Sequence, residues 1–66
     1  MQIYLNGVEK QIPDQLDMAS FIASLNLTGQ RIAVEVNEAL VPRSTFNDHQ
    51  LQEQDHVEII QAVGGG

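Results

Sequence analysis

The sequence contains no cysteine and only three basic residues among 66. Without cysteine the chain can form no disulfide, build no thiolate metal site and use no internal thiol as a nucleophile. The same absence suits a reducing compartment. Nine acidic residues give a net charge of −6, which repels phosphate backbones and argues against nucleic-acid binding.

Long apolar runs are also missing. No run approaches the ~20 residues that a membrane-spanning helix needs. The first seven residues, MQIYLNG, lack the basic region and apolar segment of a signal peptide. We therefore expect a cytoplasmic protein that does not bind membranes. A chain of 66 residues forms one domain at most, and 42% apolar residues suffice for one small core.

The N-terminal residues predict a β-hairpin over Gln2 to Ile12. Asn6-Gly7 is the turn signal, because a type I′ turn needs positive φ at both central positions. The returning strand, Val8 to Ile12, contains Lys10, which is typical of an edge strand.

A short helix is predicted to follow Pro13. Asp17 is the expected N-cap, since its carboxylate can accept a hydrogen bond from an unpaired backbone N–H. Apolar residues then recur at helical spacing and form one stripe: Met18, Phe21, Ile22 and Leu25. Asn26 or Gly29 is expected to end the helix, as both tolerate the left-handed conformation.

Three further strands are predicted, at residues 32–37, 39–41 and 56–61. Residues 44–51 are expected to be irregular or one helical turn, with Phe46 and Leu51 reaching the core. In the last strand Val57 and Ile59 should face inward, while Ile60 and Ala62 face the other side. Together these elements predict a two-layer α+β domain over residues 1–62, with one helix across one face of the sheet.

The usual catalytic and metal-binding patterns are weak. Ser44, Asp48 and His49 supply the residue types of a triad, but nothing builds an oxyanion hole or a pocket. The spacing of His49 and His56 fits no recognised metal site. We therefore predict neither an active site nor a bound metal or cofactor in the body of the domain.

The final residues, QAVGGG, are the remaining candidate site. A terminal carboxylate is ionised at neutral pH and is a poor electrophile, so it must be activated, most simply as an acyl adenylate made from ATP. Without side chains, Gly64 and Gly65 could thread a narrow tunnel and present Gly66 to another protein's active site. Ile60, Ala62 and Val63 are apolar and are the predicted docking surface. The alternative is that the glycines are an idle, disordered chain end.

Three segments resemble one known family over essentially the whole chain. They are IYLNG near the start, VEVNEALVPR followed by Phe46, and DHVEIIQAVGGG at the end. The chain resembles the ThiS family of sulfur carriers in thiamin biosynthesis, within the ubiquitin-like β-grasp superfamily. The resemblance implies a mixed sheet of four to five strands with the first and last strands parallel and central, one helix on one face, and a flexible tail at residues 63–66.

The resemblance also implies a function for the tail. A ThiF-like adenylyltransferase would convert the Gly66 carboxylate to an acyl adenylate with ATP. Sulfur from a persulfide donor, such as a cysteine desulfurase, would displace AMP and leave a thiocarboxylate on Gly66. A ThiG-like thiazole synthase would then take the sulfur. On this hypothesis the chain is a protein co-substrate and not an enzyme.

The sequence departs from the family pattern at three positions. Gln54 stands where the family often has glycine, Phe46 stands where tryptophan is common, and Gly64 extends the usual glycine pair to three. If the turn at Gln54 needs positive φ, the glutamine costs about 1 kcal/mol.

Two related functions stay open. One is a sulfur carrier of molybdopterin synthesis, although that family tends to be longer, with prolines before its glycines. The other is a ubiquitin-like protein modifier joined through Gly66 to a lysine. The modifier would need the same adenylate, so the sequence separates it poorly from a carrier.

Overall fold

The structure, a computed structural model, describes residues 1–62. The predicted tail, residues 63–66, lies outside the described residues and stays a prediction. In the described part the elements follow in this order: β1 (Gln2–Leu5), β2 (Val8–Gln11), α1 (Met18–Ser24), β3 (Ile32–Val36), β4 (Ala39–Leu40), the 3-10 helix η1 (Arg43–Thr45) and β5 (His56–Gln61). This is the predicted order, with β2, β3 and β4 each ending one residue before the predicted boundary.

The five strands form one mixed sheet in the order β2-β1-β5-β3-β4. β1 pairs with β2 antiparallel and with β5 parallel, whereas β3 pairs antiparallel with both β5 and β4. The first and last strands are therefore parallel neighbours inside the sheet. This is the β-grasp arrangement, and the predicted fold class is confirmed.

Two tight turns require left-handed backbone at both central positions. At the β1–β2 turn φ is 49° at Asn6 and 84° at Gly7, as predicted for a type I′ hairpin. The β3–β4 turn has φ of 51° at Asn37 and 72° at Glu38. Asparagine tolerates this left-handed conformation, whereas glutamate does not and is strained there.

Helix α1 begins at the predicted cap. Asp17 has extended backbone, and its Oδ1 accepts a hydrogen bond from the Ser20 N–H at 2.6 Å. Hydrogen bonds from Ser20 hold the pKa of Asp17 below its usual value of 3.8. The bond from the Ser20 side chain has the larger effect, and the bond from its backbone N–H the smaller. The helix ends where Asn26 takes φ of 60°, so the asparagine supplies the predicted left-handed stop.

The core lies between α1 and one face of the sheet. Its fully buried members come from both layers: Ile3, Met18, Phe21, Val34 and Val57. Leu51 is buried as predicted, while Leu25, Phe46 and Ile59 are half-buried against the same cluster. The loop after η1 packs against the first turn of α1, where the Met18 N–H donates to the His49 carbonyl at 2.8 Å.

Among residues 1–62, one side-chain carboxylate is buried. Asp55 is 6% exposed, and it accepts hydrogen bonds from the Asn37 side chain at 3.0 Å and from the Gln52 N–H at 2.8 Å. The preceding residue, Gln54, has φ of 71°, so the last turn does need positive φ. The glutamine in place of glycine is therefore strained.

Candidate functional site

Strand β5 carries the chain to the candidate site from the centre of the sheet. On one side its register with β3 runs from Val36 opposite Val57 to Ile32 opposite Gln61. One residue further, the Ala62 N–H donates to the Arg31 carbonyl at 2.8 Å. The described chain therefore stays attached to the sheet up to Ala62, beside the start of β3.

Two asparagine side chains extend the pairing of β5. The Asn6 amide accepts from the Ile59 N–H at 2.9 Å and donates to the Ile59 carbonyl at 3.4 Å, so it acts as one more paired residue of β1. On the other side, Asn37 Oδ1 accepts from the His56 N–H at 3.0 Å, and the Asn37 N–H donates to the His56 carbonyl at 2.8 Å. Each turn thus braces β5 through its first residue.

The predicted alternation along β5 is confirmed. Val57 is buried and Ile59 half-buried on the helix side, whereas Ile60 is 54% exposed and Ala62 is exposed. Ile60 lies opposite Ala33 of β3, so a small apolar area forms on the outer face of the sheet, near the end of the described chain. Val63, the third predicted docking residue, lies outside the described residues, as do Gly64, Gly65 and Gly66.

The outer face becomes acidic away from this apolar area. Glu58 lies directly opposite Glu35 across the β3–β5 pair, an arrangement of like charges that destabilises a sheet. Glu38 and His56 line the same open depression as these two glutamates. His56 stacks on Tyr4 with ring centroids 4.5 Å apart.

The weak sequence patterns gain no support from the described residues. Within residues 1–62, no group of three or more histidine, aspartate or glutamate side chains is placed to hold a metal ion. Ser44 lies in η1 and His49 in the loop beyond it. In the same part of the chain, no helix is long and apolar enough to cross a membrane.

Comparison with known proteins assigns the family. The model of the ThiS family matches residues 3–66, almost the whole chain, and the match includes the three glycines. The chain belongs to the ThiS family.

This ThiS family member is similar to two kinds of protein, one of nearly its own length and one much longer. The uncharacterized protein ycf40 of Porphyra purpurea is 35% identical over all 66 residues, which cover 93% of its length. A thiazole synthase of Magnetococcus marinus is 33% identical over the whole chain, but the chain spans only 20% of that protein.

A solved structure supports the fold. The crystal structure of the thiamine biosynthesis protein ThiS from Geobacter metallireducens superposes over 100% of both chains, with a TM-score of 0.86 at 23% identity. At this identity the similarity establishes the shared β-grasp fold, and the chemistry has to be argued from the residues.

Proposed function

We propose that this chain is a sulfur carrier whose reactive group is the carboxylate of Gly66, and that its sulfur is used to form a thiazole ring. The observation that carries the proposal is the family match through the terminal glycines, at the end of a strand held on both sides. A rigid body followed by residues without side chains suits a group that must react inside another protein.

The proposed chemistry takes place in three steps. A ThiF-like adenylyltransferase joins the Gly66 carboxylate to the α-phosphate of ATP and releases pyrophosphate. A persulfide, supplied by a donor such as a cysteine desulfurase, attacks the acyl carbon and displaces AMP. A thiol then reduces the resulting acyl disulfide and leaves a thiocarboxylate on Gly66. The partner consumes the ATP, and the carrier itself holds no cofactor and is not an enzyme.

The proposed acceptor of the sulfur is a ThiG-like thiazole synthase. Two relatives named thiazole synthase contain a segment similar to this entire chain as 20% of their length. Joining two activities in one polypeptide raises the effective concentration of each for the other. We therefore propose that this carrier delivers its sulfur to a thiazole synthase that is a separate polypeptide.

Intact mass spectrometry tests the proposal. The full chain is incubated with a ThiF-like enzyme, ATP, a cysteine desulfurase, cysteine and a thiol reductant. The expected product gains the mass of one oxygen-to-sulfur exchange, located at Gly66 by fragmentation. A chain with one tryptophan added after Gly66 is the control and should not be charged.

Other outcomes would contradict the proposal. Conjugates of higher mass, joined through Gly66 to lysine, would indicate a protein modifier. An unchanged mass, in a mixture that charges another ThiS family member, would exclude the carrier function. Charging at Gly66 without sulfur transfer to the thiazole synthase would leave a carrier for a different acceptor and refute the proposed product.

A further inference from the structure

A shallow cleft lies at the end of the described chain, beside the start of β3. It has a volume of about 290 Å³ and is lined by six residues: Arg31, Ile32, Ala33, Arg43, Ile60 and Ala62. We call it the root cleft, because Ala62, the last described residue, lines it. A smaller apolar pocket of about 130 Å³ shares Ile32 and Arg43 with it and extends toward helix α1.

The charge of the root cleft is opposite to that of the protein. The chain has three basic residues, Lys10, Arg31 and Arg43, and two of them line this cleft. None of the nine acidic residues lines either the root cleft or the smaller pocket. In a protein with a net charge of −6, the positive side chains are thus concentrated at one small place.

Backbone contacts hold both arginines near the end of β5. The Arg31 carbonyl accepts the Ala62 N–H at 2.8 Å, which places Arg31 beside the last described residue. The Arg43 Nη2 donates to the Gln30 carbonyl at 2.6 Å, so its side chain reaches the segment just before β3. A guanidinium has five N–H donors, and this bond engages one of them.

The length of the tail determines which anion can reach the cleft. Four residues follow Ala62, and they span at most ~14 Å when fully extended. If the tail is fully extended with Gly66 in an active site, the nucleotide phosphates lie at the far end of this span, too far away to contact the arginines. The protein surface around the mouth of that active site, in contrast, must cover the root cleft. Covering two arginines without supplying anions is strongly unfavourable, because each loses its hydration.

We propose that the root cleft binds an acidic segment of the adenylating enzyme, in which carboxylates pair with Arg31 and Arg43 while an apolar side chain packs on Ile60. This inference rests on the proposed function, since it needs an enzyme that takes in the tail. Arginine is suited to the role because its planar guanidinium binds a carboxylate through two parallel hydrogen bonds.

Steady-state kinetics of adenylation tests the inference. Pyrophosphate release by a ThiF-like enzyme is measured against the concentration of the full chain carrying Arg31→Glu, Arg43→Glu or Lys10→Glu. Lys10 lies on the edge strand β2, so Lys10→Glu makes the same change in net charge away from the root cleft. We expect each arginine variant to raise KM about tenfold with kcat nearly unchanged, while Lys10→Glu changes KM less than about twofold.

The folded state of each variant is checked by its melting temperature. Arg31→Gln, which removes the charge without reversing it, should give an intermediate KM and keeps the test valid if Arg43→Glu disturbs its bond to Gln30. Equal effects of all three glutamate variants would show that only net charge matters and would overturn the inference. So would unchanged KM values in the two arginine variants.

Failure of the proposed function looks different. If the enzyme releases no pyrophosphate from ATP in the presence of the wild-type chain, both the proposed function and this inference are refuted. A photo-crosslinking residue in place of Ala33, an exposed residue of the cleft, provides a second readout. It should capture a peptide of the enzyme that contains aspartate or glutamate, and capture of a peptide without either would contradict the inference.

Discussion

Several single residues of this small domain have a strained backbone conformation. In the described part of the chain, non-glycine residues adopt positive φ at six positions: Asn6, Gln15, Asn26, Asn37, Glu38 and Gln54. Asparagine accounts for three of these with little penalty, because its short amide can bond locally. The glutamines and the glutamate have no such compensation. They mark the places where a glycine would stabilise the fold.

Gln54→Gly is expected to raise the free energy of unfolding by about 1 kcal/mol, since Gln54 adopts φ of 71°. Its N–H donates to the Gln2 carbonyl at 2.7 Å, and glycine keeps that bond. Urea denaturation measures the change. Gln52→Gly, in the same loop but without positive φ, is the control and should destabilise by roughly 0.5 kcal/mol through the unfolded state. Stabilisation by both would mean that loop flexibility, not φ, is responsible.

The N-cap predicts how helix stability depends on pH. The pKa of Asp17 in the folded chain lies below 3.8, so the ionised cap stabilises the fold above that pH. The contribution is lost as pH falls through the lowered folded pKa. Asp17→Asn keeps a neutral acceptor for the Ser20 N–H and has no such titration.

Wild type should therefore be more stable than Asp17→Asn at about pH 6, and this advantage should disappear as the pH falls through the lowered pKa of Asp17. Denaturant unfolding of both proteins across this range gives the comparison. An advantage that stays constant with pH would show that the carboxylate charge plays no part in the cap.

At the scale of elements, β5 depends on two asparagine side chains that come from turns. Asn6→Gly isolates this role, because glycine keeps the left-handed turn and removes only the amide that pairs with Ile59. We expect a loss of about 1 kcal/mol in unfolding free energy and faster amide hydrogen exchange at Ile59.

Asn26→Gly is the matched control for that substitution. Asn26 also has a left-handed backbone, with φ of 60°, but among residues 1–62 its side chain makes no hydrogen bond. Its replacement should be nearly neutral. If Asn6→Gly is equally neutral, water replaces the amide and the brace contributes nothing.

Local signals in the sequence predicted the elements well. The Asn6-Gly7 turn, the Asp17 cap and the alternation that exposes Ile60 all depend on neighbours a few residues apart. The strand order came from the resemblance, because periodicity does not determine which strands pair. The braces from Asn6 and Asn37 were missed for a similar reason. The turn conformation alone accounts for an asparagine at each of these positions, so the sequence gives no sign of a second role. The partner in β5 is 53 residues away for Asn6 and 19 residues away for Asn37.

The candidate site was predicted unevenly. No local pattern singles out Arg31, and Arg43 stands out only as the last residue of the family segment VEVNEALVPR. Their approach to Ala62 depends on the register of β3 with β5, which no local pattern encodes. No local pattern predicts the burial of Asp55, because it follows from the contacts with Asn37 and Gln52.

For the whole molecule, the central question is how the body binds a partner. Ile60→Glu should weaken binding to the proposed adenylating enzyme about tenfold, because it puts a charge in the proposed apolar contact. Leu40→Glu is the control. Leu40 is 67% exposed, lies on the same face and belongs to the edge strand β4.

Both Ile60→Glu and Leu40→Glu should cost about 1 kcal/mol or less in stability. Isothermal titration calorimetry and denaturation give the two quantities. Equal binding losses would indicate that the enzyme covers the whole outer face rather than the region near Ala62.

Gly66→Val tests the tail without altering any residue of the described domain. The new side chain lies beside the reacting carbonyl and widens a segment proposed to thread a tunnel, so thiocarboxylate formation should slow by roughly a hundredfold. The melting temperature should not change. Gln61→Val, at an exposed position of β5, is the control and should be charged normally. Rapid charging of Gly66→Val would mean that side-chain-free residues are unnecessary at the terminus.

The central position of β5 has a mechanical consequence. A partner that draws in residues 63–66 pulls β5 along its own axis, between a parallel neighbour and an antiparallel one. Such traction loads, in shear, the hydrogen bonds to β3 along the whole strand and those to β1 at its first residues. A hairpin at the border of a sheet would instead open one bond at a time. We therefore expect β5 to resist a pull on its C-terminal end better than a strand that is paired only within a hairpin.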